Sequence, residues 1–231
     1  MEVVMSIDFR MKRRIAYMRR NRCGVLLVAL CLFILLNPFV AGSFAAVFLA
    51  LGMVTILVLA MWALRARRGT LLVLGLLALF TINAVLVDRL GEHWLRPATL
   101  AVTALFIGAV TTGLLHYVLD WRPITTDKVF GAVAAYVLIA FTFASLFGLL
   151  QQFQPHAFHA SSVHAPDEHL DWPTMMYFSF TVLTSTGFGE ITPVTKMARS
   201  LIIIEQVLGV MYVAFLIARL ANLYGRERRR L

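Results

Sequence analysis

Charged residues are scarce in this chain. Asp, Glu, Lys and Arg make up 14% of its 231 residues, and only 12 of them are acidic, whereas about a quarter of a soluble domain is charged. Cysteine is scarcer still. Cys23 and Cys31 are the only two, and both sit at or within one apolar block that reads as a single helix, a poor geometry for a disulfide. Both therefore read as buried thiols. The sequence also lacks a nucleophile–base pair, a phosphate-binding loop and a metal-ligating helix, so nothing in it points to an enzyme.

What fills the space is apolar. The chain is 60% hydrophobic with a mean hydropathy of +0.81. The apolar residues are gathered in blocks, and about 20 such residues as helix cross a bilayer core. The fold class is therefore an all-α membrane protein. The formal net charge of +9 would suggest nucleic acid in a soluble protein. Here the basic residues flank the apolar blocks, where they set membrane orientation, so nucleic acid is not an expected partner.

In chain order, residues 1–22 form a basic tail. Gly24–Leu64 reads as a hairpin of two spans broken at Asn37-Pro38 and Gly42-Ser43. It is a retained anchor rather than a cleaved signal. Span three is expected over Thr70–Val87, and span four from Pro97, a residue suited to a first helical turn, to Leu119. Span five is expected over Val129–Leu150. A polar, histidine-rich stretch, 151–171, follows. Trp172-Pro173 then opens a short amphipathic helix to about Thr184, too short to cross a membrane. Span six is expected over Thr195–Ala221, and a second basic tail ends the chain.

Six spans put both termini on one side. Of the 21 Lys and Arg, only Arg89, Arg96, Lys196 and Arg199 fall on the opposite side. The positive-inside rule then places both termini in the cytoplasm and the histidine-rich stretch outside. The Leu-, Ala- and Arg-rich composition suggests a bacterial inner membrane, and the basic tails suit anionic lipid headgroups.

Between the short helix and span six lies Thr184-Ser185-Thr186-Gly187-Phe188-Gly189-Glu190. Non-helical backbone at membrane depth is tolerated only where it is buried in protein or lines water. Gly187 and Gly189 supply the positive φ that turns successive carbonyls toward one axis. The stretch resembles the selectivity filter of the potassium-channel superfamily, usually Thr-Val-Gly-Tyr-Gly-Asp, and the resemblance covers Trp172–Tyr224. It implies a re-entrant pore helix and filter between spans five and six of a tetrameric pore. The ion ligands would be the backbone oxygens of Ser185, Thr186, Gly187 and Phe188 plus the Ser185 hydroxyl, holding K+, with Gly189 completing the filter. One filter per chain implies a homotetramer. No other cofactor is implied. Tyr177, Thr181, Thr184 and Glu190 would support the filter and its outer mouth. Phe188 lacks the hydroxyl of the usual Tyr, Thr186 replaces Val, and Ser185 is less stiff than Thr.

In span six, Gly209 stands where that family commonly has a hinge glycine, and it suits either a bend or a close helix contact. Below it, Val210, Val213, Ala214 and Ile217 would line an apolar cavity or gate. Glu205 is a lone intramembrane carboxyl. It either lines the cavity or hydrogen-bonds behind the filter near Thr181, the second role being favoured. Span four carries no Arg or Lys, only His116, so steep voltage sensing is not expected. His156, His159, His164 and His169 read first as a solvated turret, with proton or metal modulation as alternatives.

The expected domains are a basic cytoplasmic tail (1–22), a four-helix domain resembling a voltage sensor without gating charges (23–128), a pore domain (129–224) and a second tail (225–231). The leading functional reading is passive, potassium-selective conduction that is not strongly voltage-gated. The alternative is a weakly selective monovalent cation channel of the same architecture. A transporter is disfavoured because residues 1–120 hold no counterpart of the re-entrant segment. A non-conducting subunit with the same pore fold is the remaining rival.

Overall fold

The computed structural model of the protein describes residues 21–39, 44–64, 95–120, 125–161 and 170–228. The expected span three, most of the N-terminal tail, His164 and His169 lie outside the described residues. In chain order the elements are α1 (Arg22–Leu36), a 3-10 turn (Asn37–Phe39), α2 (Phe44–Leu64), α3 (Leu95–Leu119), α4 (Thr126–Phe153), β1 (Phe158–Ala160), α5 (Trp172–Leu183), β2 (Ile191–Pro193) and α6 (Lys196–Arg228). The protein is mostly helical.

Among the described residues, three helices are long and apolar enough to cross a membrane: Pro97–Leu119, Thr126–Phe153 and Lys196–Arg219. They coincide with the expected spans four, five and six. The segment expected as span one appears as a shorter apolar helix, Arg22–Leu36, and the segment expected as span two lies within the 21-residue α2. At 1.5 Å per residue, α1 is about 22 Å long, short of a core about 30 Å thick.

The chain divides into two compact units, Met1–Gly91 with Ala109–Val137, and Glu92–Gly108 with Leu138–Leu231. In the first unit, α1 buries Cys23, Leu26, Leu30 and Phe33, the 3-4-3 spacing of one helical face. Gly52 of α2 lies against the Phe33 ring, where a methyl group would overlap it. Asn21, at the start of α1, offers no side-chain cap. Asp127 supplies one from far along the chain, its Oδ1 accepting from the Cys23 N–H at 2.8 Å and so satisfying one of the orphan donors of a helix start. Its Oδ2 accepts from the Tyr117 hydroxyl at 2.9 Å. Arg22 donates to the Trp62 carbonyl at 3.1 Å and stacks over the Trp62 ring.

In the second unit, α5 is cradled by aromatic rings. Phe147, Phe158 and Phe178 meet pairwise with centroids 5.3–5.6 Å apart, within the preferred range for such pairs. Phe141 meets Trp172 and Phe180 edge-on. The Trp172 Nε1–H donates to Ser145 Oγ at 3.2 Å. α6 touches its own unit along one narrow stripe, burying Ala198, Ile202, Glu205 and Gly209, a 4-3-4 spacing. Most of its remaining apolar side chains are exposed, Ile204, Val207, Met211 and Phe215 among them.

The strands are a departure from a wholly helical reading. β1 and β2 pair antiparallel, with Phe158 opposite Pro193, His159 opposite Thr192 and Ala160 opposite Ile191. Two three-residue strands separated by some thirty positions leave no hairpin signal in sequence.

Candidate functional site

The site begins with a well-built helix start. The Asp171 side chain accepts from the Thr174 N–H at 3.0 Å, and Pro173 occupies the first turn, a strong start signal. Asp171 belongs to the polar stretch read above as a histidine-rich loop, and its carboxylate is here committed to the cap. α5 spans twelve residues, about 18 Å, which is too short to cross a membrane.

At its other end the chain leaves the helix and reverses backbone handedness at every second residue. Ser185 (φ 56°), Gly187 (57°) and Gly189 (83°) all have positive φ. The glycines were expected there. Ser185 was not, since a non-glycine residue enters this region only when its surroundings hold it. Those surroundings are hydrogen bonds back to the helix. Ser185 N–H donates to Val182 O (2.9 Å), and Thr186 N–H and Gly187 N–H both donate to Thr181 O (2.9 and 3.2 Å). Thr181 thus supports the loop through its carbonyl, while its hydroxyl donates to Phe178 O at 2.8 Å.

The Thr184 hydroxyl donates to Phe180 O at 2.7 Å and lies 2.8 Å from the Thr186 hydroxyl. One hydroxyl carries one hydrogen, so Thr186 is the donor of that pair. The extra polarity of Thr186 is therefore tied down. Tyr177 stacks parallel on Phe188, centroids 6.3 Å apart, and donates to Glu190 Oε2 at 3.1 Å. Partial burial first, then the bond to Glu190 and its charge, raise the Tyr177 phenol above its ordinary pKa. All seven residues 184–190 are exposed in the single chain.

The segment after the loop is clamped. Ser161 N–H donates to Glu190 O and Val194 N–H to Ala157 O, each at 2.8 Å, on either side of the β1–β2 pair. This ties the start of the histidine-rich stretch to the exit of the loop. His156 and His159 are exposed there, and among the described residues no three His, Cys, Asp or Glu side chains gather as a metal site.

Behind the loop, Glu205 is fully buried. Its Oε1 pairs with the Ser179 hydroxyl, not with Thr181. The two candidates differ by two positions, about 200° around a helix, and only Ser179 faces α6. The Ser179 hydroxyl also lies 2.8 Å from Ala140 O of α4. One turn further along α6, Gly209 packs against Leu183, and a methyl group there would overlap the Leu183 carbonyl. Of the other residues expected around a cavity or gate, Val210, Val213, Ala214 and Ile217 are exposed. Ser179 and Leu183 escaped the sequence reading. The only hint was that Glu205 needs a polar partner, and the sequence does not say which.

A short capped helix, a loop of alternating handedness whose carbonyl oxygens can offer hard ligands to a cation, and long apolar helices in the same chain are features that suit an ion channel. Residues 132–226 match the family model described as "Ion channel". That match supports an ion channel of the potassium-channel superfamily over this segment. "Protein LctB" of Geobacillus stearothermophilus is 28% identical over 129 residues, covering 55% of this chain and 94% of that protein. No solved structure matches the chain.

Proposed function

We propose that four copies of this chain surround one pore and pass K+ selectively and passively down its gradient. The carrying observation is the positive φ at Ser185, Gly187 and Gly189, directly after a helix whose last carbonyls hold the loop. Reversing handedness at every second residue lets successive carbonyls of Ser185, Thr186, Gly187 and Phe188 face one axis, where they and the Ser185 hydroxyl replace the hydration of K+. In the single chain all seven loop residues are open to solvent. Copies of the same chain complete the ring, and the exposed apolar side chains of α6 suit contacts with those copies, with lipid or with an inner cavity.

In this proposal α5 is the re-entrant pore helix and Lys196–Arg219 lines the inner pore, with Val210, Val213, Ala214 and Ile217 at a cavity or gate. The remaining expectations belong to the same proposal: six spans, domains 1–22, 23–128, 129–224 and 225–231, both termini cytoplasmic, anionic lipid at the basic tails and gating that is not steeply voltage-dependent. The weakly selective alternative keeps the architecture and differs only in filter stiffness. The test is K+ flux from liposomes holding the purified protein, alongside chemical crosslinking. K+ flux with crosslinked tetramers supports the proposal. Absent flux, or crosslinking that stops at dimers, overturns it.

A further inference from the structure

The contact behind the loop has more acceptors than hydrogens. Ser179 is completely buried, and its Oγ lies within hydrogen-bonding distance of both Ala140 O and Glu205 Oε1. A serine hydroxyl carries one hydrogen, a backbone carbonyl can only accept, and an ionised carboxylate can only accept. With Glu205 ionised, one hydrogen would face two acceptors, and one of the two contacts would press lone pairs together. Among the described residues Glu205 Oε2 has no hydrogen-bond partner, and the side chain is fully buried. An ionised carboxylate there would be a buried charge with one hydrogen bond at most, an arrangement proteins avoid.

We infer that Glu205 is held as the neutral acid and acts as a hydrogen-bond donor, forming a one-way chain from the Glu205 carboxyl to the Ser179 hydroxyl to the Ala140 carbonyl. Every contact in that chain then has its own hydrogen, and the unpartnered Oε2 becomes the neutral carbonyl oxygen of the acid. The chain joins α6, α5 and α4 at one point, one helical turn before Leu183 and the loop that follows it. The same face of α6 meets Leu183 through Gly209. Glu205 is thus a positioning residue: it acts through Ser179 on the helix whose carbonyls hold Ser185, Thr186 and Gly187. Its effect on conduction rests on the channel reading above, whereas its protonation does not.

The test uses full-length protein in lipid and two readouts. Infrared spectroscopy at neutral pH is expected to show a protonated-carboxyl band that is absent from Glu205→Gln and shifted in Ser179→Ala, which loses the receiving hydroxyl. No such difference between the natural protein and Glu205→Gln means the group is a carboxylate and overturns the inference. The second readout is current. Glu205→Gln, whose amide also donates, is expected to keep sustained, selective current. Glu205→Leu, similar in size but without a donor, is expected to lose it. Wild-type current from Glu205→Leu overturns the positioning role. If the natural protein carries no current at all, the channel reading fails while the infrared result still decides the protonation.

Discussion

The Tyr177 hydroxyl reaches forward thirteen residues to donate to Glu190 Oε2 at 3.1 Å. Its ring lies flat against Phe188, within 2° of parallel. A Tyr at position 188 would bring a hydroxyl of its own. With Phe there, the outer end of the loop is tied instead through the side chain two positions on. Tyr177→Phe keeps the stacked ring and removes the tie. The expected outcome is normal assembly with a several-fold loss of K+ over Na+ discrimination, read from reversal potentials. Unchanged discrimination would show that the tie has no part in holding the loop.

The same pair sets a pH dependence. The Tyr177 phenol is raised above its ordinary value. A group raised on folding contributes its stability fully below the unfolded value and loses it as pH rises through the folded value. The tie is therefore intact at neutral pH and lost only in alkali. Glu190→Gln removes the charge and leaves the burial, so it is expected to lower the Tyr177 titration partway toward the ordinary phenol value. Phenolate absorbance, with Tyr177→Phe as the blank, measures the shift. A rise or no change on Glu190→Gln contradicts the account.

Gly209 was legible from sequence as a glycine that needed a reason, either a bend or a close contact. Its position against the Leu183 carbonyl gives the contact. Gly209→Ala is expected to force α6 away from α5 at a cost of about 1–3 kcal/mol, as overpacking does. The measurement is the thermal stability of the purified assembly. A glycine needed only for bending would tolerate alanine with little loss, and that result would contradict the packing reading.

Asp127 satisfies two donors on other elements, the Cys23 N–H and the Tyr117 hydroxyl. Each buried donor left without a partner costs about 1–3 kcal/mol. Asp127→Ala is expected to lose both bonds, and Asp127→Asn, with one acceptor oxygen, only one. Denaturation of the two variants should therefore rank alanine below asparagine and both below the natural protein. Equal stability of all three would mean that the start of α1 is not held this way.

The β1–β2 register places His159 opposite Thr192. Directly opposed residues on antiparallel strands lie within disulfide reach, and a slip of one residue turns every side chain to the other face. His159→Cys with Thr192→Cys is expected to crosslink on mild oxidation, and Ala160→Cys with Thr192→Cys is not. The reverse pattern, scored by mobility on non-reducing gels, would move the register.

Local signals made the helical frame legible. Long apolar runs gave Val129–Leu150, within the helix Thr126–Phe153, and the start of α6, and Trp172-Pro173 gave the short helix to within a residue. Gly187 and Gly189 gave the backbone reversal. What stayed hidden depends on partners distant in sequence. Asp171 carries a cap signature, but it sits at the end of a polar histidine-rich stretch that reads first as a solvated turret. Ser185 takes a positive φ because Val182 and Thr181 hold it and its neighbours, which no propensity of serine announces. Glu205 declared its need for a partner, and the choice of Ser179 over Thr181 follows from which face of α5 meets α6. The β1–β2 clamp joins segments too short to show strand periodicity.

The central claim is that the loop 184–190 forms a potassium-selective filter, and a bi-ionic reversal potential tests it most directly. Purified protein in a planar bilayer would face potassium on one side and sodium on the other at equal concentration. The account predicts a reversal potential near the potassium limit, with Gly187→Ala silent because its new side chain would strain a backbone at positive φ. Clear currents reversing near zero would contradict the selectivity claim and favour the weakly selective channel.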